Sequence, residues 1–182
     1  MIYKNLKNIV KSILSDVKNN TLIIQREDHT YYIATSYRAF ALPESLYYEF
    51  NRVSGIFLLL DSDKSIKYDD STNHVQDTNT DVKRMIEPGE KKVFYTGFSR
   101  NFMKDKKHCT VDIFKNDKNE IITINRDFLK PLNGLVPEEI STNGTKHPVY
   151  FKFDMFDCIL LPIHNSYTLT AIADTFTEIK QG

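Results

Sequence analysis

The chain is short of the residues from which most catalytic, secreted and membrane-bound proteins are built. Its two cysteines, Cys109 and Cys158, lack the spacing of a metal or redox pair. Such sparse thiols fit a reducing cytoplasm better than a secreted disulfide framework. Six glycines leave little material for a glycine-rich phosphate loop, and none is present. No apolar run approaches the roughly 20 residues that span a bilayer. The opening residues, Met1-Ile2-Tyr3-Lys4-Asn5, lack the apolar core of a signal peptide. Neither sign of charge is in excess: 24 lysines and arginines face 24 aspartates and glutamates. Whole-chain charge therefore points to neither nucleic acid nor membrane, and any such binding must come from how charge is distributed. The expectation is a cytoplasmic protein with no membrane partner.

The ingredients of catalysis are equally thin. His29, His74, His108, His147 and His164 are scattered, and no two share the helical spacing of metal ligands. His108 and Cys109 are neighbours in an extended run, where consecutive side chains point to opposite faces, so they do not make a nucleophile–base pair. Asp61, Asp63, Asp69 and Asp70 lie in a polar stretch, where acidic side chains are ordinarily just solvated. No catalytic residue, metal or cofactor is expected. Binding is the expected activity, with an unrelated α+β enzyme as the distant alternative.

What is present is enough chain for one domain with a core of its own: 182 residues, 41% apolar and 12% aromatic, ordinary globular values. Leu6, Ile9, Val10, Ile13, Leu14 and Val17 recur at helical spacing and predict an amphipathic helix over 3–18. Strands are expected at 21–25, 30–35 and 38–42, a short helix at 44–52 and a strand at 55–60. Residues 61–90 are polar and almost without periodicity, which predicts a long exposed loop or insertion. Strands at 92–98 and 109–114 flank a basic stretch. A strand at 120–125 leads through Asn125, a natural N-cap, into a helix at 126–135 that Pro131 shortens or kinks. Strands follow at 139–142, 148–154 and 158–163, with Asn143-Gly144 between the first two as a hairpin signal.

Written as elements, the segment 120–164 reads strand–helix–strand–strand–strand, and the first 60 residues read helix–strand–strand–strand. The order repeats although the residues do not. Local sequence adds to it. Ile33-Ala34-Thr35-Ser36-Tyr37-Arg38-Ala39-Phe40 resembles the segment of bacterial DNA sliding clamps that reads alanine-threonine-aspartate-glycine-histidine-arginine before an apolar strand. Thr35 and Arg38 match, and Ser36-Tyr37 stands for a shortened middle. Ile122-Thr123-Ile124-Asn125-Arg126-Asp127-Phe128-Leu129 is similar to the strand-to-helix step of the last clamp domain. His147-Pro148-Val149-Tyr150-Phe151 with Ile159-Leu160-Leu161-Pro162-Ile163-His164 resembles that domain's end. The likeness covers about residues 3–60 and 120–165; the insertion at 61–90 and the tail at 166–182 depart from it.

The resemblance implies an α+β, clamp-like fold: a single domain over 1–182 made of two β-α-β-β-β units, about 1–60 and 120–165, with antiparallel sheets and both helices on one face. It implies a DNA sliding-clamp-like processivity or scaffold factor that binds duplex DNA without sequence preference and binds replication proteins carrying short hydrophobic motifs. A ring would need several copies, hence a homo-oligomer. Lys4, Lys7, Lys11 and Lys18 fall within a ~60° arc of the first helix, off its apolar stripe, and with Arg126 and Lys130 would meet the DNA backbone. The plain alternative is a solvated helix face. Carried over by position, the partner-peptide pocket is Thr35, Tyr37 and Arg38 with Ile159, Leu161, Pro162 and Ile163, an apolar floor with one cationic rim group; the plain alternative is ordinary strand core. The rival function is a monomeric protein-interaction module of the same fold that encircles no DNA.

Overall fold

The apolar stripe of the first sixteen residues dictates where they pack. The computed structural model describes residues 2–17, 21–56, 58, 60–69, 71–104 and 107–163, and α1 spans Ile2–Val17. Leu6, Ile9, Val10, Ile13 and Val17 are all buried. Three strands follow: β1 (Thr21–Glu27), β2 (Thr30–Ala34) and β3 (Arg38–Pro43). Then come α2 (Glu44–Ser54), β4 (Ser65–Asp69), β5 (His74–Asp77), β6 (Lys91–Lys104), β7 (Lys107–Asn116) and β8 (Ile121–Asn125). The chain continues with α3 (Arg126–Leu129), β9 (Glu139–Thr142), β10 (Val149–Lys152) and β11 (Asp157–Leu160). Among the described residues no helix is long and apolar enough to cross a membrane.

The fold is α+β, with antiparallel strand pairs throughout. The strand order is β5-β4-β1-β2-β3-β11-β10-β9-β6-β7-β8. Its middle reads the same from either end: the third strand of each unit, β3 and β11, pair with each other, Phe40 opposite Cys158 and Arg38 opposite Leu160. Antiparallel pairing of equivalent strands relates the units by a local twofold, as the repeated element order leads one to expect. α1 packs beside the 3-10 turn Lys130–Leu132 that ends α3, so both helical segments share one face. Beyond Leu160 the chain reaches β8: the Ile163 amide donates to the Thr123 carbonyl at 2.8 Å, and the Thr123 hydroxyl donates to the Ile163 carbonyl at 2.8 Å.

Three expectations need correction. The helix expected at 126–135 runs only through Leu129 before a 3-10 turn. Asn125 caps it as expected, accepting from the Asp127 amide at 2.9 Å, but Pro131 offers no amide to continue the helical ladder. The strand expected at 55–60 is absent among the described residues there. The chain instead serves as an acceptor for side chains: the Tyr47 hydroxyl donates to the Leu58 carbonyl at 2.6 Å and Arg26 to the Leu60 carbonyl at 2.9 Å.

The third correction is the largest. The stretch 61–90 is not simply an exposed loop. Ile66 and Tyr68 of β4 are buried against β1, and β5 pairs outside β4. Residues 78–90 then cross the sheet face opposite α1. The Gln25 side-chain carbonyl accepts from the amides of Val82 (2.6 Å) and Lys83 (3.0 Å). At the far end the Gly89 amide donates to the Ser141 hydroxyl and the Glu90 amide to the Asn143 side chain, each at 3.0 Å. Val82 and Ile86 cover Ala34, Ala39, Tyr150 and Ile159, a second small core beneath this strap. The two apolar residues four apart in a polar context are too few to register as periodicity, yet they suffice to close one sheet face.

The two thiols are set apart by burial. Cys158 lies fully inside the main core, and burial raises its thiol pKa well above the ordinary range, whereas Cys109 is half-buried. Since the thiolate is the reactive form, a maleimide should label the native chain at Cys109 alone and reach Cys158 only after denaturation. Equal labelling of both in native buffer would contradict this packing.

Candidate nucleic-acid interface

α1 turns its polar side away from the sheet, and the structure places the sequence candidates on it unevenly. Lys7 and Lys11 are exposed. Lys4 belongs to α1 but its side chain is outside the described set, and Lys18 lies outside the described residues. On the second helical segment Lys130 is exposed and pairs with Asp127 at 2.6 Å. Arg126 is held by Asp112, whose carboxylate accepts from Nε at 2.9 Å and from Nη2 at 2.5 Å. That bond raises the arginine's pKa further and keeps it charged. The pair leaves Arg126 less free for phosphate than Lys7 or Lys11, because Asp112 is buried and compensates its charge.

Between α1 and α3 lies a cleft of about 560 Å³, with Lys11, Ser12 and Ser15 on one wall, Asp127 and Lys130 on the other, and Arg38 at its floor. Arg38 corrects the expectation of a cationic rim group on a peptide pocket. It is only 4% exposed. Its Nε donates to Asp16 at 2.7 Å and its Nη2 to the Ser12 carbonyl at 3.2 Å, and the guanidinium lies 5.1 Å from the Phe128 ring centroid. Thr35 adds a hydroxyl bond to the same Asp16 carboxylate at 3.2 Å. One buried side chain from β3 thus ties α1 to α3. Nη1 is buried without a hydrogen-bond partner.

The remaining pocket candidates are neighbours, but strand alternation divides them. Ile159 pairs with Ala39 and faces the strap, on the side opposite Arg38. Tyr37 is 44% exposed and stacks on Phe128, ring centroids 5.4 Å apart. Leu161 is 37% exposed, and its amide donates to the Tyr37 carbonyl at 3.0 Å. Pro162 and Ile163 are half-buried. Tyr37 and Leu161 offer a small apolar edge. Of these residues only Arg38 lines the cleft between α1 and α3.

Sequence reasoning missed Asp16, Phe128 and Asp112, the residues that fix the two arginines. One signal was available: Asp16 is the only acidic residue of α1, and it lies four residues after Ser12, on the edge beside the apolar stripe. It also missed two apolar hollows, of about 260 and 250 Å³, that meet at Gly134, Leu135 and Phe153. They open where α3 stops early, and Val136 between them is 87% exposed.

No protein-family model matches the chain, and no curated protein matches it in sequence. Among solved structures it is similar to the DNA polymerase III beta subunit of Thermotoga maritima, at 13% identity and TM-score 0.42 over 91% of this chain and 64% of that one. It is similar to a protein assigned as a DNA polymerase III beta subunit from Eubacterium rectale, at 12% identity and TM-score 0.39 over 90% of this chain and 64% of that one. A DNA polymerase sliding clamp from Caulobacter crescentus matches at 8% identity and TM-score 0.34, over 80% of this chain and 58% of that one. The chain therefore spans less than two thirds of each of these structures.

Proposed function

We propose that the protein is a sliding-clamp-like processivity or scaffold factor that holds duplex DNA, without sequence preference, against the face carrying α1 and α3. The observation that carries this reading is the pair of helical segments lying side by side on one face of a two-unit sheet, with Lys7 and Lys11 exposed and Lys11 and Lys130 on opposite walls of the cleft. Lysines that reach phosphate from a helix bind by charge alone, which suits a protein that must move along DNA. A single copy has too little surface to surround a duplex, so encirclement would require several copies joined through edge strands. Partner proteins would anchor apolar side chains either at the Tyr37–Leu161 edge or in the hollows around Leu135 and Phe153.

The second reading is a monomeric interaction module. It is favoured by the pairing of Arg126 with Asp112 and of Lys130 with Asp127, which answers two of the four candidate cations whose side chains are described on the helical face. One experiment separates the two. Duplex DNA binding should be independent of sequence and fall steeply with salt, and Lys7→Glu with Lys11→Glu should weaken it about tenfold or more at low salt. Circular dichroism should be unchanged, because neither side chain packs in the core. A wild-type chain that binds no duplex in low salt and sediments as a monomer at high concentration would leave the interaction module.

A further inference from the structure

The early end of α3 leaves part of its sheet face without a cover. The hollows of about 260 and 250 Å³ that adjoin at Gly134, Leu135 and Phe153 open there. Their walls are mostly apolar: Phe114 and Phe151 line the larger, Leu6 and Ile9 of α1 the smaller. Val136 and Met155 also line the smaller hollow, and they are 87% and 38% exposed. Two large apolar side chains thus meet solvent beside an apolar depression. Neither hollow shares a lining residue with the cleft between α1 and α3.

The chain itself carries a segment suited to this surface. Residues 164–182 follow Ile163 and lie outside the described set. In their sequence Leu169, Ile172, Phe176 and Ile179 are spaced three, four and three apart, the spacing that gathers apolar side chains on one face of a helix. Asp174 and Glu178 fall on the opposite side of that pattern. The reach is sufficient. Ile163 bonds Thr123 of β8, and Thr123 is opposite Ile113 of β7. Asp112 and Phe114, on either side of Ile113, line the larger hollow. Two strand spacings, about 10 Å, separate Ile163 from that part of β7, and the residues from Ile163 to Leu169 extend up to about 20 Å.

We propose that residues 164–182 dock back onto their own chain, seating Leu169, Ile172, Phe176 and Ile179 in the two hollows and covering Val136 and Met155. The hollows adjoin, so one apolar face of a short segment meets one continuous depression. A tethered segment needs little affinity of its own, because a short linker holds it at an effective concentration of about a millimolar. A partner protein that anchors in these hollows must first displace the tail. That consequence rests on the partner-binding reading above; the docking itself does not, and it is independent of duplex binding. The rival occupant is the tail of a second copy, which would make the same contacts between chains.

The test is fluorescence anisotropy of a labelled synthetic peptide of residues 164–182, titrated with the full chain. Wild type, its hollows filled, should bind the peptide weakly. Ile172→Asp with Phe176→Asp releases the chain's own tail, and this variant should bind the wild-type peptide about tenfold or more tighter. Adding Val136→Asp and Met155→Asp should remove the gain. Both of these side chains already meet solvent, so the fold should be kept, and urea denaturation checks it. The proposal is overturned if the Ile172→Asp/Phe176→Asp chain binds the peptide no better than wild type, or if the gain survives Val136→Asp/Met155→Asp. It is equally overturned if wild type sediments as a dimer that Ile172→Asp/Phe176→Asp dissolves, because the tail then sits on a second copy.

Discussion

Arg38→Ala should cost about 3–5 kcal/mol of folding stability, the usual penalty for removing one member of a buried ion pair. The side chains of Arg38 and Asp16 are 3% and 11% exposed, so truncation leaves a carboxylate in a site that water reaches poorly. The loss extends beyond the pair: the bond to the Ser12 carbonyl and the guanidinium contact with Phe128 go with it, and both helical segments lose their shared tether. Urea unfolding of the variant should show a much lower midpoint. A control distinguishes a burial penalty from a net gain by the pair: replacing both residues, Arg38→Met with Asp16→Leu, should recover most of the loss, since apolar side chains of similar size need no partner. A shift below about 0.5 kcal/mol for Arg38→Ala, the range of ordinary surface substitutions, would show that the tether contributes nothing.

Gly89→Ala should destabilise by about 3 kcal/mol, at the upper end of what overpacking ordinarily costs. A methyl group at this position would collide with the backbone of Thr142, and Thr142 has no freedom to retreat. It is buried, paired on one side with Val149 of β10 and on the other with Lys91 of β6. Its hydroxyl is bonded to the carbonyls of Gly144 and Pro148. The strap must therefore lift, which uncovers Ala34, Ala39, Tyr150 and Ile159. Limited proteolysis should then cut the variant within 78–90 before the wild type, alongside a lowered unfolding midpoint. Wild-type stability together with wild-type protease resistance would refute the close approach.

Both expected effects lie at contacts between parts of the chain far apart in sequence, and this marks the boundary of what the sequence determined. α1, the strands of both units and the Asn125 cap were legible because each is written locally: an apolar stripe at helical spacing, alternation along strands such as 149–153, a side-chain acceptor before a helix. The repeated element order implied two similar units with both helices on one face, but it did not name β3 and β11 as the strands that join them. Lys7 and Lys11 were legible as an exposed stripe, because position on a helix wheel needs no tertiary information.

Tertiary structure alone decided the rest. Whether Arg38 meets solvent or Asp16 depends on α1 crossing β3, twenty-two residues apart in sequence, and nothing in the local run around Arg38 reports that crossing. The strap was invisible because Val82 and Ile86 have no period to display; they are apolar only where the sheet beneath them is apolar. The exposure of Phe94 was hidden for the reverse reason. An aromatic strand reads as core wherever it occurs, and only the packing of β6 against its neighbours shows which rings are left uncovered.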